Sequence, residues 1–460
     1  MLGEDAVADG WRLACRHVVA GGETELVLPA DSVETVGACA PTTAWQERAA
    51  GQTDEDALLA VDVGTTSVYW QVLTREGALL GEGHCLNPQA GAGSDVVSRL
   101  ALARSEAGRH LLARAIRDML GAICRDATAQ GLRISRMCLA GNTAMTDVVL
   151  ERDISGLCAA PYRISHPGNE WVQPGDLPPM YVPPLPAPFV GGDVSAGLAC
   201  LVAENTPRPF VLADMGTNGE LALVTEDDRL FLTSVPLGPA LEGIGPACGQ
   251  QAGCGVVTAF GLGPFGLTAN VSPTAPCRGI SATGYLSLLA HLLRLGILDA
   301  AGHFAAADTL AMPLARKIAQ GLHTRHDQPC LNLPCNQWLE AGDVELLLKV
   351  RACFVLALQQ LLRAAAIPAA SLKRICLAGA LGEHVDPQAL ETLGFVPQGM
   401  GQRVRAVGNT SLRGAALLAR DSDRCEWLAR WCAAAQVLPL AEQADFQEQY
   451  MQAMRLEIWS

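Results

Sequence analysis

Apolar and polar positions along this chain fall into a pattern that occurs twice. Leu58-Leu-Ala-Val-Asp-Val-Gly-Thr-Thr-Ser-Val-Tyr-Trp-Gln-Val-Leu73 is an apolar run ending in an acid, a short Gly-Thr-Thr turn and a second apolar run. Val211-Leu-Ala-Asp-Met-Gly-Thr-Asn-Gly-Glu-Leu-Ala-Leu-Val224 has the same order of parts. Both read as strand, tight turn, strand. Asp62 matches Asp214, Gly64 matches Gly216 and Thr65 matches Thr217. A later apolar strand follows each copy: Arg136-Met-Cys-Leu-Ala-Gly-Asn142 after the first, and Arg374-Ile-Cys-Leu-Ala-Gly-Ala380 after the second. The repetition points to an internal duplication. Either copy alone reads equally well as a plain β-hairpin with a Gly-rich turn.

The remaining segments are read by the same periodicities. Residues 35–56 are a polar linker. A helix is predicted from about 95 to 130, with Asp95 at its N-terminus. Asn87, Gln89, Asp95 and Arg99 before and within it are either functional or braces for the helix start, the second being preferred. Residues 134–140 read as a buried strand that Gly141-Asn-Thr turns into a helix. Nine prolines between 161 and 192 predict a loop that excludes helix and central strand. Phe189-Val-Gly-Gly-Asp193 opens a helix over about 193–204, with Asp193 preferred as its N-cap over a second carboxylate of the site. Residues 281–320 and 343–366 read as helical. Gly408-Asn-Thr-Ser-Leu-Arg-Gly-Ala-Ala416 starts a helix of small residues suited to close packing across a cleft. An amphipathic tail from about 421 packs on the body.

Length and composition narrow the class. At 460 residues the chain holds two or more domains, and 50% hydrophobic against 17% charged residues leaves little room for long disorder. A net charge of −14 disfavours nucleic acid and anionic membranes as partners. No apolar run reaches membrane-spanning length, and the first residues lack a secretory pattern, so the expected location is cytoplasmic. The 16 cysteines include no Cys-x-x-Cys pair, and Cys138, Cys200, Cys353 and Cys376 sit in apolar runs where buried free thiols are usual.

The candidate chemistry is phosphate binding. Gly64, Thr65, Thr66, Gly216, Thr217, Asn218 and Gly219 supply turn backbone and side-chain donors. Asp62 and Asp214 place carboxylates at strand ends, where a phosphate-bound Mg²⁺ is held through water. Asn142 and Thr143 either touch a γ-phosphate or attacking water, or simply cap a helix. Glu220 and Glu242, the latter in Gly238-Pro-Ala-Leu-Glu-Gly243, are polar partners of the site.

Two facing phosphate hairpins resemble the actin-like ATPase superfamily, which implies an α/β, duplicated, ribonuclease H-like fold with two lobes around an ATP cleft. In that superfamily a Gly-rich turn packs on the adenosine, and Gly379 and Gly382 fit it. Asn87-Pro-Gln89, Gly141-Asn-Thr-Ala-Met145, Asp214-Met-Gly-Thr-Asn-Gly-Glu220 and Gly238-Pro-Ala-Leu-Glu-Gly243 together closely resemble the reductive activators of corrinoid proteins. Gly10-Trp-Arg-Leu-Ala-Cys15 resembles the end of a plant-type 2Fe-2S ferredoxin domain, with Cys15 as fourth cluster ligand; the other reading is a cysteine in a short strand pair. The other three ligands would precede Met1, so a 2Fe-2S cluster is implied only where the natural chain begins upstream.

The implied organisation is a ferredoxin-like remnant over 1–34, a linker over 35–56, lobes over 57–205 and 206–420, and a tail over 421–460. The implied cofactors are ATP and Mg²⁺, the latter oriented by Asp62 and Asp214. The implied activity is ATP-dependent reduction of Co(II) to Co(I) in a corrinoid protein of a methyltransferase system. A separate ferredoxin is the alternative electron source, and a homodimer is one possible assembly. The chain departs from the family at Ser281-Ala-Thr-Gly284 and Ala380-Leu-Gly382, where such activators carry Cys-Gly-Ser-Gly and Gly-Phe-Gly, and the large middle domain of some members is expected to be missing between Cys15 and Asp62. A small-molecule kinase, or a nucleotide-binding partner protein without turnover, remains an alternative. Phosphoryl transfer without a corrinoid would mark the first, and binding without hydrolysis the second.

Overall fold

A computed structural model of the chain describes residues 41–47, 55–93, 95–216, 218–271, 275–379, 385–440 and 445–459. Each repeated half builds one mixed sheet. In the first lobe β1 (Ala44–Trp45) edges an antiparallel meander of β2 (Glu55–Val63), β3 (Ser67–Thr74) and β4 (Leu79–Leu86). β5 (Leu132–Gly141) lies parallel against β2, and β6 (Glu170–Val172) and β7 (Met180–Val182) complete the order β1-β4-β3-β2-β5-β7-β6.

The second lobe repeats the plan. β8 (Phe210–Met215), β9 (Asn218–Val224) and β10 (Leu230–Pro236) form its meander. An insertion of short strands follows: β11 (Val256–Val257), β12 (Ala259–Gly263), β13 (Gly266–Asn270), β14 (Gly279–Ile280), β15 (Leu322–Arg325), β16 (Gln328–Leu333) and β17 (Gln337–Glu340). The chain then returns as β18 (Arg374–Ala378), parallel to β8, followed by β19 (Val404–Gly408) and the edge strand β20 (Gln436–Val437), giving β19-β18-β8-β9-β10-β20. The central five strands, β4-β3-β2-β5-β7 and β10-β9-β8-β18-β19, have one topology. The duplication read from the sequence is therefore a duplication of fold.

Helices cover both faces of each sheet. They are α1 (Val96–Ala103), α2 (Glu106–Ala129), α3 (Thr143–Val149), α4 (Gly192–Ala203), α5 (Ala282–Arg294), α6 (Pro313–Ala319), α7 (Ala341–Ala365), α8 (Pro387–Thr392), α9 (Thr410–Arg420), α10 (Ser422–Ala433) and α11 (Phe446–Ala453). Strand side chains alternate between faces. Leu59 and Val61 join Leu112 and Ile116 of α2, whereas Leu58 and Ala60 join Phe210, Leu212 and residues of α4 and α9 in a core shared by both lobes. Helices α4 and α9 cross almost backbone to backbone. A Cβ on Gly414 would lie 1.9 Å from the Ala196 carbonyl oxygen. The small-residue helix expected to pack across the cleft does so.

Four sequence expectations change. The single helix over 95–130 is two, because Ser105 caps a new start, its Oγ accepting from the Gly108 amide at 3.1 Å. The helical stretch 281–320 is likewise α5 and α6, separated where Gly296 takes φ +71° and Pro313 begins the second helix. The proline-rich segment contains β6 and β7, and β7 is internal to the sheet: Pro179 and Pro183 flank it rather than interrupt it, so its ladder survives. Part of the expected linker is the edge strand β1, anchored by Trp70 Nε1 donating to Thr43 Oγ1 at 3.2 Å. The tail does pack on the body: α10 buries Cys425, Leu428 and Cys432, and the buried Arg351 guanidinium donates to the carbonyls of Leu393, Ala453 and Glu457.

Candidate functional site

The parallel ladders set the site. β5 pairs Ala140 with Asp62 and Gly141 with Val63, and β18 pairs Ala378 with Asp214. Thus the two Ala-Gly echoes occupy equivalent places beside the two aspartates. Gly379, next in line, has φ +77°, and a Cβ there would lie 3.2 Å from Asp214 Oδ1. Glycine suits both that backbone conformation and the approach to the carboxylate.

The first-lobe turn is a braced structure. The Gly64 amide donates to Ser67 O at 3.0 Å, and Asn87 Nδ2 donates to Gly64 O at 2.8 Å. Asn87 connects through the Gln89 amide, and Gln89 through its side chain, to the buried Arg99. These residues are therefore braces of the hairpin. The Gly216 amide closes the second turn by donating to Asn218 O at 3.0 Å. The first glycine amide of each turn is thus spent on the turn itself. Asn218 lies opposite Pro236 on β10, and Gly219 is a packing position, where a Cβ would sit 2.6 Å from Leu237 Cδ1.

Side chains of both lobes meet across the cleft. Thr66 Oγ1 donates to Glu242 Oε2 at 3.1 Å, joining the first hairpin to the short 3₁₀ turn Pro239–Glu242. Asn142 caps α3 by accepting from the Met145 amide at 2.9 Å, while its Nδ2 donates to Thr65 Oγ1 at 3.3 Å. Asn142 is thus both a cap and a neighbour of the turn. Thr143 differs: it is 1% exposed and its hydroxyl donates to Ala187 O at 2.8 Å, so it points into the fold rather than the cleft. Thr217, Gly382 and Cys15 lie outside the described residues.

The electrostatics identify a residue that sequence reasoning assigned otherwise. Asp193 was expected to cap α4, but the cap position is Gly191, and Asp193 sits in the first helical turn. Its Oδ1 accepts from the Val194 amide at 2.8 Å. Burial raises its carboxyl, and the charges of Asp214 and Asp62 raise it further. Glu220, directly opposite Asp214 on the β8–β9 ladder, is also pushed up by burial and by Asp193 and Asp214. Burial and the Asp62 charge lift Asp214 to about 6. Burial raises Asp62, and hydrogen bonds from Asn409 and Ser411 oppose that rise. Four carboxylates from both lobes therefore lie near enough to perturb one another, and among the described residues no basic side chain is among the groups that perturb them. The signal for Asp193 was a carboxylate behind Gly-Gly, which the capping rule explained too easily.

Like charges gathered without a counter-charge suit a hard divalent cation. Among the described residues no three His, Cys, Asp or Glu side chains converge to cage a metal. The set fits Mg²⁺ held chiefly by phosphates and water, with the carboxylates as outer partners. It does not fit a 2Fe-2S cluster, which needs a set of thiolates.

Comparison with known proteins bears on the fold. A family model described as the C-terminal domain of RACo, the ASKHA domain, matches residues 208–459, and one described as the RACo middle region matches residues 58–204, so a middle region is present in the first lobe and the expectation that it is missing is corrected. The chain is 30% identical over 391 residues to the corrinoid activation enzyme RamQ of Eubacterium limosum, an alignment covering 78% of this chain and 63% of that protein. It is 25% identical over 269 residues to the Co(II) methylated amine-specific corrinoid protein reductase of Methanosarcina barkeri, covering 54% of this chain and 45% of that one. The chain thus spans less than two thirds of the length of these curated relatives. A solved reductive activator for a corrinoid, iron-sulfur protein has the same fold, with a TM-score of 0.72 and 24% identity over 88% of this chain and 67% of that one.

Proposed function

The chain belongs to the RACo family, built on the actin-like ASKHA fold, and on that premise we propose that it binds Mg-ATP between its two hairpins. The nucleotide drives one-electron reduction of Co(II) to Co(I) in a corrinoid protein that serves methyl transfer. The observation that carries the reading is that Asp62 and Asp214, one from each repeat, lie near enough for the charge of the first to act on the second, with Gly379 against Asp214.

Energetics explain why a nucleotide is needed. Co(I) is a stronger reductant than ordinary ferredoxins, and each 100 mV uphill costs roughly 2.3 kcal/mol per electron. A change in lobe arrangement on binding and hydrolysis can couple that work to the partner. The thiolates of a 2Fe-2S centre are not assembled by the described residues. The electron is therefore written as arriving from outside them, from a cluster domain that includes Cys15 or from a separate ferredoxin.

The residues divide the work as follows. Asp62 and Asp214 orient hydrated Mg²⁺, whose chemistry is to neutralise the phosphates. Thr65, Thr66, Thr217 and Asn218 donate to phosphate oxygens, and Gly379 with Gly382 leaves room for adenosine. Burial raises the Asp193 carboxyl and the charges of Asp214 and Asp62 raise it further, which suits it to accept a proton from the attacking water; Glu220, opposite Asp214 on the ladder, completes the acidic set. ATP and water become ADP and phosphate while cobalt gains one electron. No helix among the described residues is long and apolar enough to cross a membrane. The test is anaerobic ATP hydrolysis with and without Co(II) corrinoid protein. Stimulation by the partner is expected. Equal rates in both, or phosphoryl transfer to a small molecule, would overturn the reading.

A further inference from the structure

The carboxylate of Asp62 belongs to the first lobe, yet both of its oxygens are held by the second. Asn409 Nδ2 donates to Oδ2 at 2.7 Å and Ser411 Oγ donates to Oδ1 at 2.8 Å, across 347 and 349 positions of sequence. Asn409 is the N-cap of α9, its own Oδ1 accepting from the Leu412 amide at 2.8 Å. The helix is closely packed here. Gly414 lies against the Ala196 backbone, and a Cβ on Gly197 would be 2.8 Å from Thr410 Oγ1.

An ionised carboxylate accepts along about four lone-pair directions, two on each oxygen. Asn409 and Ser411 take one on each oxygen, fixing the plane of the group and leaving one on each for water. Donors on both oxygens also favour the charged form that a cation requires. Neither donor comes from the repeated Asp-x-Gly-Thr hairpins, and among the described residues no counterpart pair holds Asp214, which accepts from the Met215 amide. Among the described residues the two repeats therefore differ at this point.

We propose that Asn409 and Ser411 are positioning residues that orient Asp62 for the Mg-nucleotide, so that the first-lobe carboxylate is set only while α9 is docked. This rests on the Mg-nucleotide reading of the cleft and adds to it a dependence of metal affinity on the contact between lobes. Hydrolysis would then be tied to lobe closure through two side chains, rather than through the hairpins alone.

The experiment is calorimetric titration of the full chain with a non-hydrolysable ATP analogue, in Mg²⁺ and in EDTA. Asn409→Asp keeps the capping oxygen but replaces the donor to Asp62 with a like charge. Ser411→Ala removes the other donor. Each variant is expected to lose about tenfold in affinity in Mg²⁺, the loss of one hydrogen bond to a charged group. Affinity in EDTA should stay at the parent value, while the melting temperature falls modestly with the lost hydrogen bond. Parallel losses of affinity in both buffers would make the pair merely structural and overturn the proposal. Parent-like affinity in both buffers would overturn it too. A parent chain that binds no nucleotide in either buffer would sink the underlying reading, an outcome distinct from the others.

Discussion

Replacing Asp214 with Asn should make the nucleotide-free protein more stable while disabling it. Burial and the neighbouring Asp62 charge lift the Asp214 carboxyl from an ordinary 3.8 to about 6. The folded state therefore holds this proton more tightly than the unfolded chain. Below pH 4 both states are protonated and the group has no effect. Between pH 4 and 6 the unfolded chain ionises first, and above pH 6 the folded protein bears the full penalty of the charge. At about 1.4 kcal/mol per pH unit this amounts to ~3 kcal/mol, reduced to about 1–3 kcal/mol by partial access to water. Asn removes the charge and keeps the shape. Urea denaturation of parent and Asp214→Asn from pH 4 to 8, without nucleotide or Mg²⁺, measures the gap. The variant is expected to match the parent near pH 4 and exceed it above pH 6. Added Mg-ATP should then stabilise the parent and leave the variant unchanged. A variant less stable than the parent at pH 8, or a gap that ignores pH, would refute the reasoning.

Other outcomes follow from the geometry. Thr143→Ala breaks the hydrogen bond to Ala187 O and should cost about 1 kcal/mol of stability in urea, with nucleotide affinity unchanged by calorimetry; a tenfold loss of affinity would return Thr143 to the site. Gly414→Ala forces a Cβ onto the Ala196 carbonyl and should lower stability by about 1–3 kcal/mol, read from the urea midpoint; parent-like stability would show that α4 and α9 separate easily.

Much of this arrangement was legible because it is local and repeated. The Asp62 and Asp214 hairpins announce themselves by alternation, acid and glycine, and the Ala-Gly strand ends proved to be their spatial neighbours. The errors arose where a local rule had a plausible answer. Asp193 follows two glycines before an apolar run, so capping explained it, whereas the cap moved to Gly191 and turned the carboxylate toward Asp214. Ser105 sits inside a continuous helical periodicity, and only its bond to the Gly108 amide marks the break. Asp62 and Asn409 are 347 residues apart, so nothing near either one signals their contact. The small residues of α9 signalled its close packing between the lobes, but not which side chains that packing would bring together.

The most direct measurement is the visible spectrum of a Co(II) corrinoid partner under anaerobic conditions, mixed with this protein and a low-potential electron donor. Conversion to Co(I) should need Mg-ATP and should fail with Asp214→Ala. Conversion that proceeds equally without ATP, or with the Asp214→Ala variant, would contradict the account.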